Sequence, residues 1–205
     1  MYRLDDVKTI LGKLKNAVIE KKDYLGELDG KSGDGDLGMS MELAFTAIAD
    51  AGEAYAGESI SEMLLRCAMS CNKAAPSTMG TLITSGIMAY AKECKGKEFL
   101  SGADVIAAPR ILADAIAQRG KSGVGQKTIL DALYPMADAV EEANRKGCSL
   151  KDCFAYGADA AQKAAADTAG MLAKSGRAKW LGERAAQYPD SGAVLCGILA
   201  HALVN

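Results

Sequence analysis

The sequence predicts an all-α fold of about eight helices in a single domain over residues 1–205, and three observations carry that reading. Aromatic residues make up only 5% of the chain while alanine and methionine are plentiful; alanine is the best helix former, and aromatic and β-branched residues are the strand formers. Apolar residues recur every three or four positions through most of the chain, the period of a helix that buries one face. At 205 residues and 49% apolar, the chain is large enough for one sizeable core. No internal repeat or low-complexity linker divides it.

The helices follow in order. Val7, Ile10, Leu11, Leu14 and Val18 share a face, so the first helix covers about Leu4 to Tyr24. A second runs from Asp36 to about Ala54, with Leu43, Ala44, Ala47 and Ile48 inward. Ser59, with Glu62 three residues on, signals a capping box for a third through Ile60, Met63, Leu64 and Cys67, which Pro76 ends. Ser77-Thr78-Met79-Gly80-Thr81 opens a fourth. The fifth covers roughly Ala103 to Arg119, either kinked at Pro109 or starting there, and residues 120–125 form a loop. A sixth begins at Lys127 or Thr128 and runs to Arg145 through Ile129, Leu130, Leu133, Met136 and Val140, with a kink at Pro135. The alanine-rich seventh spans about Ser149 to Lys174, where small side chains let neighbours approach closely. Arg177 to Tyr188 is charged and holds the only tryptophan, Trp180; it reads as a mobile lid or as packing on the end of the bundle. Asp190 or Ser191 caps the last helix, Ala193 to Leu203.

One stretch carries chemistry. Between the first two helices, Asp29, Asp34 and Asp36 alternate with Gly30, Gly33, Gly35 and Gly38. Carboxylates converging on a flexible backbone suit a hard cation such as magnesium, which takes oxygen ligands and leaves positions for phosphate; the plain alternative is an acidic, solvated turn. An EF-hand counted from Asp29 fails, because Asp34 stands where glycine is needed and Ser40 replaces the final glutamate. Gly30-Lys31-Ser32 and Gly120-Lys121-Ser122 both lack the correctly spaced preceding glycine of a phosphate-binding loop. Residues Leu37 to Ser40 and Ser77 to Thr81 would present helix N-terminal amides, which favour an anion.

Composition narrows the classes. A net charge of −2 gives no electrostatic reason to expect nucleic acid. The six cysteines show no paired zinc spacing and read as reduced, buried thiols. With no basic-then-apolar leader and no apolar run of about 18 residues, neither secretion nor membrane spanning is indicated, and the cytoplasm is expected. His201, the only histidine, reads as a solvent-facing residue near a helix end, so no histidine relay is expected here.

Four motifs in order, Asp29-x4-Asp34-x-Asp36-x-Gly38, Gly125-Gln126-Lys127-Thr128-Ile129-Leu130-Asp131-Ala132-Leu133, Gly176-Arg177-Ala178 with Leu181-Gly182-Glu183-Arg184, and Asp190-Ser191-Gly192-Ala193, resemble the nucleotide-binding L subunit of dihydroxyacetone kinases (DhaL-like), over nearly the whole chain. The resemblance implies a barrel of eight antiparallel amphipathic helices with the nucleotide site at one end. It implies that Asp29, Asp34 and Asp36 ligate a pair of magnesium ions bridging the phosphates of ADP or ATP. Leu37, Gly38, Met39 and Ser40 would give backbone contacts to phosphate, and Thr78 with Met79 or Gly80 would fall at a further phosphate contact. Gly120, Ile129 and Arg177 fall at nucleotide-contacting positions, and Asp190, Ser191 and Gly192 would border the adenosine. The implied partner is a K subunit that holds a short-chain ketose; some members also meet a phosphohistidine protein of the sugar phosphotransferase system, which rephosphorylates bound ADP. A homodimer is left open, and no catalytic residue is assigned within this chain.

The departures are specific. Leu37 stands where the family usually has histidine and Ser40 where it has asparagine, while Ala75-Pro76-Ser77-Thr78-Met79-Gly80 replaces a Gly-Gly-x-Ser-Gly contact and Asp190-Ser191-Gly192 replaces Asp-Pro-Gly. Two other classes therefore stand beside the kinase subunit: a catalytically silent module that senses bound nucleotide, and a structural helical barrel.

Overall fold

The computed structural model describes the backbone of residues 1–205 and every side chain except that of Arg177. Its helices are Leu4–Ser32 (α1), Leu37–Glu53 (α2), Ile60–Ala74 (α3), Thr78–Glu93 (α4), Gly102–Gly120 (α5), Leu130–Arg145 (α6), Leu150–Asp167 (α7), the single turn Glu183–Ala186 (α8) and Ser191–Ala202 (α9). A tighter 3₁₀ turn, Arg177–Leu181, precedes α8. Tyr2 and Leu100 exchange a pair of backbone hydrogen bonds, an isolated bridge between the N-terminus and the α4–α5 connection. No described helix is long and apolar enough to cross a membrane.

The eight long helices form a closed ring. Each packs on its chain neighbours from α1 through α7, α7 packs on α9, and α9 returns to α1. Short connections make successive helices run up and down, so the all-α barrel expected from the sequence is the fold found. Its core has two halves. One is built on Val18, Leu25, Met41, Ile48, Ile60 and Met63, the other on Leu130, Val140, Phe154, Ala161 and Cys196. Met79, Val105 and Val194 pack against both. All six cysteines are free, and only Cys148 is not fully buried.

Three helix boundaries differ from the sequence reading, each for a local reason. Helix α1 continues eight residues past Tyr24 because Leu25 and Leu28 stay on its buried face. Gly26 and Gly30, read as part of a loop, instead lie against the returning backbone of Gly35. Leu43 is not inward: it is half exposed on α2. Helix α6 starts at Leu130, since Lys127 takes a left-handed conformation (φ 60°) that helix cannot continue. Helix α7 stops at Asp167, where the Thr168 hydroxyl turns back to the Ala165 carbonyl (2.6 Å) and Gly170 goes left-handed. Helix α5 runs through Pro109, which is buried within it, and α9 starts at Ser191 with Asp190 as its cap.

The caps are mostly those the sequence offers. Ser77 accepts from the Gly80 amide and Asp190 from the Ala193 amide. Ser59 accepts from the Glu62 amide, but the Glu62 carboxylate bonds the Tyr55 hydroxyl (3.0 Å) rather than closing the box. A full capping box forms at Ser101 and Asp104. There the Lys97 ammonium, with the Ser101 hydroxyl and amide, holds the Asp104 carboxyl down to about 2. A carboxylate with a depressed folded pKa contributes stability above its unfolded pKa and loses it as pH falls through the folded one. Asp104→Asn is therefore expected to cost about 1 kcal/mol at neutral pH, as a lost cap does. Urea denaturation should show that difference shrinking from pH 4 towards pH 2.

Candidate functional site

The end of the barrel at which α1, α3, α5 and α7 finish and α2, α4, α6 and α9 begin holds a cavity of about 400 Å³. Asp29 projects from the last turn of α1, Asp34 from the connection, and Asp36 from the position preceding α2. One oxygen from each lies within 4.8 Å of the others. Two oxygens on a single magnesium, at about 2.1 Å each, are at most about 4.2 Å apart. The trio thus needs only slight closing to share a hard cation, and its all-carboxylate chemistry fits one.

Asp29 is also a structural hub. Its Oδ2 accepts from the amides of Gly35 (3.1 Å) and Leu37 (3.4 Å), and its Oδ1 accepts from the Ser191 hydroxyl (2.9 Å) on α9. Gly35 has φ 78°, a backbone state that turns the chain sharply enough to present that amide. The carboxylate thereby links α1, α2 and α9.

Beside the acids, helix starts make up much of the wall. Leu37 and Ser40 of α2, Thr78 and Met79 of α4, Thr128 and Ile129 before α6, and Ser191 and Gly192 of α9 all line the cavity. Each helix start carries roughly half a positive charge, so four of them around one cavity attract a polyanion. In the first turn of α2, the Leu37 amide is taken by Asp29 and the Ser40 amide by the Asp36 carbonyl. Among the described bonds, the Gly38 and Met39 amides are the ones left open there.

Of the residues expected at the nucleotide, Leu37, Ser40, Thr78, Met79, Gly120, Ile129, Asp190, Ser191 and Gly192 are brought together on this cavity. The side-chain positions of Gly38, Met39 and Gly80 are not. A β-carbon on Gly38 would point into α1 and one on Gly80 into the Ala75 carbonyl, while the Met39 side chain is 70% exposed on the outside of α2. The expected role of the Arg177 side chain lies outside the described residues. Trp180 also lines the cavity and is 85% exposed, so it does not pack on the barrel end. His201 lies far down α9, bonded to Gln162 (2.7 Å).

Sequence reasoning missed the buried polar network behind the cavity. Lys127 is only 2% exposed, and its ammonium donates to the carbonyls of Thr168, Met171, Ala185, Ala186 and Tyr188 at 2.7–3.3 Å. Burial pulls its pKa down and Asp190 opposes that. The left-handed backbone of Lys127, which costs on the order of 1 kcal/mol for a residue with a β-carbon, is held by buried Asp131, whose carboxylate accepts from the Gly125 and Thr128 amides. The Thr168 hydroxyl accepts from the Asp190 amide (2.7 Å). Burial pushes the Asp190 carboxyl up to about 7; Asp131 and Asp29 add to the rise, and the Ala193 amide and Lys127 oppose it. The one signal in the sequence was the run Gly125-Gln126-Lys127-Thr128, a lysine amid turn residues just ahead of an apolar helix.

Comparison with known proteins gives a consistent picture. Residues 31–205 match the DAK2 domain. The chain is 31% identical over 201 residues to an L-erythrulose kinase of Pectobacterium atrosepticum, covering 96% of this chain and 34% of that protein. It is 31% identical over 192 residues to the ADP-binding subunit DhaL of a PTS-dependent dihydroxyacetone kinase from Lactococcus lactis, covering 94% of this chain and 92% of the subunit. Among solved structures it resembles the dihydroxyacetone kinase of C. freundii in its native form, at TM-score 0.77 and 19% identity over 100% of this chain and 35% of that one. The same enzyme in complex with AMP-PNP and Mg2+ gives TM-score 0.74 at 20% identity over 97% and 33%. Both are likenesses of fold. The chain spans about one third of the erythrulose kinase and of the C. freundii chain.

Proposed function

Since the chain belongs to the DAK2 domain family, we propose that it is the nucleotide- and magnesium-binding part of a dihydroxyacetone-type (short-chain ketose) kinase, delivering a phosphoryl group from ATP or from a rephosphorylated bound ADP to a substrate held on a separate K subunit. The observation that carries this is the pairing of three carboxylates with four helix starts across one cavity. Carboxylates alone would repel a nucleotide, and helix starts alone would bind any anion; together they select an anion that arrives with a divalent cation. The reading draws further support from the L. lactis relative, named as an ADP-binding subunit, and from the C. freundii neighbour, solved with AMP-PNP and Mg2+.

Asp29, Asp34 and Asp36 would hold one or two magnesium ions, which when bound supply charge neutralisation for the phosphates. The open amides of α2 and the starts of α4 and α9 would orient those phosphates. Phosphoryl transfer asks the protein mainly for positioning and electrostatics rather than for proton transfer, which agrees with the absence of histidine from the described cavity lining.

The departures at Leu37 and Ser40, both on the cavity wall, favour a second reading in which the chain binds nucleotide without passing phosphate on. Native mass spectrometry of freshly purified protein, with and without chelator, should show ADP or ATP retained together with magnesium and lost on chelation. Ketose-dependent turnover with a K partner separates the kinase from the silent module. Failure to bind either nucleotide with magnesium would overturn both.

A further inference from the structure

The segment between α7 and α9 forms a further part of the cavity wall. Ser175, Gly176, Ala178 and Trp180 lie on the cavity wall, yet the segment contains only a five-residue 3₁₀ turn and the single turn α8. Structures that short do not persist in water by themselves. Besides the Gly170 amide, which donates to the Ala186 carbonyl (2.7 Å), and the Lys31 ammonium over the Tyr188 ring, two adjacent residues fasten it. Lys127 grips the Thr168 and Met171 carbonyls at one flank and those of Ala185, Ala186 and Tyr188 at the other. Between them the Gln126 carbonyl accepts from the Lys174 amide (3.1 Å), and its side chain accepts from the Ser175 hydroxyl (2.9 Å).

The charge sits well for this task. Thr168 caps the C-terminus of α7, and Ala185 and Ala186 end α8, so the ammonium lies at the negative ends of two helical elements. Three of its carbonyls also accept a backbone amide, that of Thr168 from Met171, that of Ala185 from Tyr188 and that of Ala186 from Gly170, and an ammonium with three hydrogens shared among five oxygens ties both flanks together. Asp131 sets the backbone that aims it.

We propose that Lys127 is a positioning residue for the phosphoryl-donor site: its buried ammonium clasps the two flanks of residues 168–188 and so keeps residues 175–180 in place along the cavity rim. This rests on the nucleotide-binding reading above, but the clasp itself can be tested without nucleotide.

The experiment compares the full chain with Lys127→Met and Lys127→Ala, using two readouts: amide hydrogen exchange, and Mg·ADP affinity followed by fluorescence of Trp180, the chain's only tryptophan. In both variants, exchange between residues 170 and 188 should quicken at least tenfold while amides of α2 to α4 keep their protection. The dissociation constant for Mg·ADP should rise at least tenfold. In Lys127→Ala, methylammonium should restore both properties and tetramethylammonium, which cannot donate a hydrogen bond, neither. Unchanged exchange in residues 170–188, or equal rescue by the two ions, would overturn the proposal. Should both lysine variants fail to fold, the wild type decides: amides between residues 170 and 188, those of Gly170 and Lys174 among them, should exchange at least tenfold more slowly than in an unstructured peptide, and exchange at the unstructured rate overturns the clasp. A wild-type chain that binds no magnesium nucleotide would sink the kinase reading, an outcome distinct from these.

Discussion

Replacing Asp34 and Asp36 together by asparagine is expected to weaken magnesium-dependent ADP binding by more than about 100-fold, about 2.8 kcal/mol, while leaving the helical barrel folded. Asn keeps the shape of Asp but removes the charge that holds a hard cation. Both residues lie at or beside the start of α2 rather than in the core, so circular dichroism and thermal unfolding should stay close to wild type. Asp29 is the poorer choice for this test, because its carboxylate also joins α1, α2 and α9 through Gly35, Leu37 and Ser191. Isothermal titration with ADP in magnesium and in chelator makes the measurement. The double variant should behave in magnesium as the wild type does in chelator. Wild-type affinity retained by the double variant would remove the carboxylates from the binding site.

Gly38→Ala should be the most damaging single substitution for stability among the glycines near the site. A β-carbon at Gly38 would lie 1.9 Å from the Lys22 carbonyl oxygen, 2.9 Å from its carbon and 3.0 Å from the Gly26 nitrogen. All three are backbone atoms, so no side chain can rotate away, and α2 must retreat from α1. Overpacking of this kind costs typically 1–3 kcal/mol and more against rigid atoms; we expect about 3 kcal/mol, or roughly 6–12 °C in Tm for a chain of this size. Gly12→Ala is the control: nothing lies within 4 Å of its β-carbon position, so helix propensity should make it neutral or stabilising by up to about 1 kcal/mol. Because α2 carries Leu37, whose amide meets Asp29, Gly38→Ala should also weaken nucleotide binding in the fraction that folds. Equal melting of the two alanine variants would contradict this account of the α1–α2 contact.

The same glycines show what could and could not be read in advance. Helix number and several caps were legible because they depend on local chemistry: Ser59, Ser77 and Asp190 each cap the helix that follows them in sequence. That the three aspartates converge was legible because the glycines among them let the chain turn tightly enough to bring their oxygens within 4.8 Å of one another. Gly26 and Gly30 looked like loop residues, since a glycine that lets two backbones touch and one that lets a chain turn are identical in sequence. Leu43 fits the inward stripe of α2 by spacing, but spacing does not say how wide the buried stripe is. Lys127 was passed over as a site residue because lysines are almost always at the surface, and its partners are carbonyls 41 to 61 positions away. No local pattern announces a contact of that reach.

The ring that α9 closes against α1 also sets an order of assembly. The Ser191 hydroxyl and the Asp29 carboxylate that it meets are 162 positions apart, among the most distant pairings a chain of this length can make, and distant pairings form slowly. During synthesis α1 to α4 can pair with their neighbours as each emerges, but Asp29 waits for its partner until residues 191–202 have been made. The barrel's staves stand before its mouth has its final shape, and a ribosome-bound chain lacking α9 would carry all three acids without the hydroxyl that orients one of them.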